Sequence, residues 1–237
     1  MNRVTLIVAP FLLVACASSP PAATAPAPNP ATTPSTRSEA GAPKAAAGGD
    51  AYAQLVARAE AGDESVDFLE MRMAYLQSPA FAQGMAAAPQ VRDLRTAMFA
   101  AMSSGDIKAV NAKAKETLAL VYIDLEAQKA RYQSCVKLGD GACAVQGKRI
   151  ELGLLKSVVS AGNGLSCATA WKVVRVDEEY FILRIRDMKL TRQSLVQDGG
   201  RVCDKMEVAD ETGKPATYYF DVGDMLKSEQ ALLSGGG

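Results

Sequence analysis

Near residue 168 the spacing of apolar side chains changes from three or four residues to two, and this limits the chain to a few folds. A helix buries one stripe and a sheet buries one face, so each half needs the other as a cover. Before the switch, residues 52–161 read as helices. Leu55, Val56 and Ala59 share a short face that ends at Gly62-Asp63. Phe68, Met71 and Tyr75 form the next stripe, closed by Ser78-Pro79. Val91, Leu94, Met98 and Met102 follow, closed by Gly105-Asp106, and then Ile107, Val110, Ala114 and Leu118. A long helix is expected over about 121–138 and a last one over about 142–160, with Leu152, Leu155 and Val159 on one face. The Gly-Asp pairs have a physical reason. Glycine takes the left-handed conformation that ends a helix, and aspartate accepts a backbone N–H at the start of the next. Gly105-Asp106 and Gly139-Asp140 lie 34 residues apart, the tetratricopeptide period. Lys148 and Glu151 occupy positions where such repeats want other residues, so the pattern predicts two helical hairpins with a repeat-like turn.

After the switch, Trp171 and Val173 alternate with Lys172, and Phe181, Leu183 and Ile185 alternate beyond the acidic run Asp177-Glu178-Glu179. A bulge is expected near Arg186-Asp187, with strand continuing from Met188 to Val196. Asp198-Gly199-Gly200 and residues 211–215 are turns, and Tyr218, Phe220 and Val222 alternate on the last strand. The predicted fold is α+β: N-terminal helical hairpins, tetratricopeptide-like, packed on a small C-terminal antiparallel sheet. Its domain spans 50–226, with a loose tail at 227–237.

The first 49 residues cannot join that core. Val4 to Ala15 is an apolar run too short to span a bilayer, which needs about 20 residues. It reads as a signal peptide, 1–15, and Leu13-Val14-Ala15-Cys16 is similar to the lipobox of bacterial lipoproteins. That resemblance implies lipid on Cys16 and cleavage before it. By resemblance to the sorting rules of Gram-negative lipoproteins, Ala17, which is not aspartate, implies the outer membrane, with the protein anchored by palmitate-type chains and facing the periplasm. Residues 16–49, rich in Ala, Pro, Ser and Thr, are expected to form an extended, disordered tether.

The chain contains no histidine, which removes Ser-His-Asp and Cys-His catalysis and histidine-ligated zinc. Losing Arg3 with the leader leaves 25 basic residues against 26 acidic, a net charge of −1. No basic footprint for nucleic acid exists, and no cofactor or metal is expected. Beyond Cys16, four cysteines remain, and they allow three pairings or four free thiols. Cys135 and Cys143 flank the Gly139-Asp140 turn, which favours Cys135–Cys143 with Cys167–Cys203.

Glu178, Glu179 and Asp221 are the candidate catalytic carboxylates, with Tyr180 and Tyr219 as candidate binding residues. Two carboxylates at the right separation hydrolyse glycosidic bonds, and a cluster of them holds calcium. Against this stands the plainer reading, a charged turn beside surface tyrosines. Ser134-Cys135-Val136-Lys137 matches SxxK but lacks its SDN and KTG partners.

Several short pieces, in order, resemble one bacterial family. They are Leu55-Val56-Ala57-Arg58-Ala59 with Gly62-Asp63, Asp67-Phe68, Ala74-Tyr75, Ser78-Pro79, Gly139-Asp140, Gly153-Leu154-Leu155, Glu178-Glu179-Tyr180 and Tyr219-Phe220-Asp221. The family is the domain-of-unknown-function group numbered 4919. The resemblance covers about 52–222 and implies no activity. The expected role is a protein-binding or scaffold module attached to the membrane through Cys16, with other envelope proteins as partners. The alternative is a histidine-free hydrolase acting on envelope glycan or peptidoglycan.

Overall fold

The structure is a computed structural model that describes residues 50–235. The expected signal peptide, Cys16 and the whole of the tether lie outside the described residues. Seven helices come first: α1 (Ala51–Glu60), α2 (Phe68–Tyr75), α3 (Pro79–Ala86), α4 (Ala88–Ser104), α5 (Ile107–Leu120), α6 (Leu125–Leu138) and α7 (Gly141–Val159). A 3₁₀ turn at Cys167–Thr169 leads to β1 (Trp171–Lys172) and then α8 (Val176–Ile185). The remainder is β2 (Lys189–Asp198), β3 (Arg201–Ala209), β4 (Pro215–Asp221) and α9 (Gly223–Ser234). The fold is α+β.

Aspartates start five of these helices. Asp50, Asp67, Asp106, Asp124 and Asp140 each accept a backbone N–H from the first turn that follows. The two Gly-Asp turns are built alike. Gly105 and Gly139 both have φ of 74°. The N–H groups of Asp106 and Asp140 return to the carbonyls of Ala101 and Cys135, each at 3.0 Å. This is the Schellman closure, which uses up helix-end carbonyls that would otherwise be unpaired. Helices α4 to α7 therefore run as successive antiparallel neighbours. Met98, Val110, Ala114, Leu118 and Ala127 fill a core between α4, α5 and α6.

The sheet order is β1-β4-β3-β2. β2–β3 and β3–β4 are antiparallel, whereas β1 pairs with β4 in parallel, so the sheet is mixed rather than wholly antiparallel. Met206, Val208, Tyr218 and Phe220 join Met71, Tyr75, Ile150, Leu154 and Phe181 in the main core. Among the described residues the buried core hydrophobics run from Tyr52 to Met225.

Three further expectations change. Phe181, Leu183 and Ile185 do not form a strand; they lie on α8. Phe181, Ile182 and Leu183 are consecutive and all buried, and such a run fits a helix packed on more than one side as well as it fits a strand. Asp177, Glu178 and Glu179 occupy the first helical turn, where the helix dipole favours negative charge. The bulge lies at Thr191, between Leu190 and Arg192, while Asp187, at φ 55°, ends α8. Finally, the chain expected to be loose from 227 is helical to Ser234, with Met225 and Ser228 buried.

Helices α2 and α7 approach closely at Gly153. A Cβ built there would lie 2.3 Å from the Phe68 ring. Gly141, in the first turn of the same helix, meets nothing within 4 Å. Gly153→Ala is expected to destabilise the fold by about 1–3 kcal/mol through overpacking. Gly141→Ala should cost nothing or add a few tenths of a kcal/mol. Urea unfolding of both variants checks this contrast.

Candidate functional site

The acidic run at the start of α8 faces into the protein. Glu178 forms a two-pronged pair with Arg72 of α2, at 2.8 Å from Nε and 2.6 Å from Nη2. Arg72 is fully buried and Glu178 nearly so. Arg72 also donates to the Lys172 carbonyl at 2.8 Å, and Glu178 accepts the Val174 N–H at 2.8 Å. The pair thus joins α2, β1 and α8 and satisfies both charges. It leaves Glu178 no free oxygen to aim at a substrate.

Glu179 is fully buried, no N–H or hydroxyl donor among the described residues reaches either carboxyl oxygen, and its protonated carboxyl hydrogen-bonds to Asp204. Burial, then the negative charge of Asp204 on β3, pushes its pKa up to about 9, so the carboxyl is protonated at neutral pH. Asp204 accepts from Gln193 at 2.8 Å, and Gln193 in turn accepts from the Tyr180 hydroxyl at 2.9 Å. Asp221 lies 3.8 Å from Lys172 Nζ and 3.5 Å from Arg201 Nη1, and accepts the Gly223 N–H at 3.1 Å. The three candidate carboxylates therefore sit in three separate structural settings. None of them lines the groove described below.

Tyr219 packs against the cluster around Cys167 and Cys203, and its N–H donates to the Gly164 carbonyl at 2.8 Å. Both expected disulfides are present, Cys135–Cys143 and Cys167–Cys203, with Cα separations of 5.7 and 5.8 Å. Cys135, Asp140 and Cys143 cluster like metal ligands, but the two sulfurs are bonded to each other. Ser134 of the SxxK match is buried, accepting from Asn111 and donating to the Arg131 carbonyl.

Tyr180 does line a concave surface. An open groove of about 710 Å³ runs between α3, α4, the start of α8 and α9. Its floor includes Phe81, Val91 and Val174. Its rim carries Met85, Phe99, Val176 and Tyr180, each between 40% and 45% exposed, an unusual concentration of exposed large apolar side chains. Three arginines stand along it. Arg95 pairs with Asp124 and Asp177, and Arg175 donates to Asp177 at 3.0 Å and to the Tyr75 hydroxyl at 3.1 Å. Arg92 is exposed and pairs with no carboxylate among the described residues. An apolar trough with one uncommitted guanidinium suits an apolar segment that carries a carboxylate.

Apart from Tyr180, the groove residues were not among the sequence candidates. The available signal was Phe99, a large aromatic lying off the Val91-Leu94-Met98-Met102 stripe of its helix.

A family model described as "Domain of unknown function (DUF4919)" matches residues 45–231, most of the chain. The chain belongs to this family. No curated protein and no solved structure matches it. The DUF4919 match ends within α9, so the ion pair, the sheet and the groove all lie inside the family domain.

Two outcomes follow from the buried charges. Arg72→Ala, which leaves Glu178 buried without its partner, is expected to cost about 3–5 kcal/mol, or to prevent folding. A double change to well-packed apolar residues, Arg72→Met with Glu178→Leu, should recover much of that loss in thermal unfolding. Glu179 supplies a pH dependence. Its folded pKa lies above its ordinary value of 4.5, so the folded state holds a proton that the unfolded state has lost between pH 4.5 and about 9. Stability should fall as pH rises through that window, by up to about 1.4 kcal/mol per pH unit. Glu179→Gln should flatten the slope, read by denaturant unfolding at pH 5 and pH 8.

Proposed function

We propose that this protein is a non-enzymatic, lipid-anchored binding module of the bacterial envelope. It is held to the outer membrane through Cys16 and faces the periplasm. The observation that carries the binding reading is the groove: four exposed apolar side chains on its rim beside Arg92, whose guanidinium pairs with no carboxylate among the described residues. Its occupant is an apolar segment of another envelope protein bearing a carboxylate for Arg92. The hydrolase alternative loses support because Glu178 is committed to Arg72 and Glu179 is sealed from solvent. The anchor rests on the Leu13-Val14-Ala15-Cys16 pattern and on the tether-like composition that follows.

A photo-cross-linking residue placed at Phe99 in the full chain, in living cells, tests this. One or two reproducible envelope proteins should be captured through an acidic, apolar segment. Arg92→Glu should reduce capture by about 10- to 100-fold, the loss expected when a charge-assisted hydrogen bond becomes a repulsion. In cells carrying Cys16→Ser the protein should leave the membrane fraction and incorporate no labelled acyl chain. Capture at Phe99 no greater than at the remote turn residue Thr212 would sink the groove reading. Acyl labelling that survives Cys16→Ser would sink the anchor.

A further inference from the structure

β2 is one of the two edge strands of the sheet, and among the described residues only β3 pairs with it. It is ten residues long, and eight of these are exposed. An edge of this length presents a row of unpaired N–H and C=O groups that suit another extended strand. The bulge at Thr191 interrupts it, leaving a regular run of seven residues, 192–198. Leu195 is the midpoint of that run. It is 61% exposed and lies on the α8 side of the sheet with Gln193.

We propose that β2 is a self-association edge, pairing antiparallel with β2 of a second copy about a two-fold axis through Leu195. In antiparallel pairing, residues facing each other must direct their backbone groups the same way, so their sequence numbers share a parity. The register that uses the whole run sets Leu195 against the second copy's Leu195 and Arg192 against its Asp198, twice by symmetry. Charge therefore complements at both ends and the apolar residue is covered at the centre. Arg192 is free for this role, being 70% exposed with only a 4.0 Å contact to Glu207. Asp198 is exposed beside the Gly199-Gly200 turn. The pairing is isologous, so it closes at two copies. The bulge and Lys189 stop it from running further along the strand. The product is one continuous sheet of eight strands.

The test uses the full chain. Sedimentation velocity over a concentration series should show a reversible monomer–dimer equilibrium. Arg192→Asp and Asp198→Arg should each weaken it about tenfold. The double exchange R192D/D198R should restore it to within about threefold of the parent. Leu195→Cys with mild oxidant should give a covalent dimer that reductant dissolves, whereas Thr212→Cys should not. Circular dichroism confirms that each variant is folded. A protein monomeric up to millimolar concentration, or a dimer indifferent to charge reversal and to Leu195→Glu, overturns the proposal.

Discussion

The buried pair between Arg72 and Glu178 is the interaction on which the rest of the structure depends. It joins two residues 106 positions apart and brings the Lys172 carbonyl and the Val174 N–H into one hydrogen-bonded group. A charge removed from water carries a penalty of several kcal/mol unless its partner is placed well. Any arrangement that separates α2 from α8 exposes that penalty. The pair therefore fixes where the helical half meets the strand half, a relation that apolar contacts alone specify loosely. The groove depends on the same point, because α8 forms one of its walls and starts at the residues the pair positions.

The chemistry of the acidic run follows from this placement. Three carboxylates in sequence suggest a reactive cluster, yet each has a different neighbour. Asp177 faces arginines at the groove, Glu178 is neutralised by Arg72, and Glu179 is kept protonated by burial beside Asp204. Successive residues on a helix point about 100° apart, so three adjacent acids reach three surroundings. A pair of free carboxylates facing one cleft would need a spacing of three or four.

Much of the helical half was legible because its signals are local. Apolar stripes, aspartate caps and left-handed glycines each act within a turn or two, and α4 to α7 follow them closely. The Cys135–Cys143 bridge was legible for the same reason, as both cysteines flank one turn. α8 was not, since an unbroken apolar run such as Phe181-Ile182-Leu183 has no period to read. The Arg72–Glu178 pair had no local signature at all. Arg72 looks like a solvated arginine on a short amphipathic helix, and only the tertiary fold buries it. The groove was hidden in a similar way. Its walls come from three parts of the chain, and its exposed rim residues look in sequence like ordinary core.

The two disulfides join cysteines that are consecutive along the described chain: 135 with 143, then 167 with 203. A chain synthesised from its N-terminus presents them in that order. An oxidase that links each new thiol to the last free one therefore produces the native pattern directly. The first bridge can close once a single helical hairpin has emerged, before any strand exists. The second must wait for β3. No step requires an incorrect bridge to be broken, so the fold asks for an oxidant but not for an isomerase.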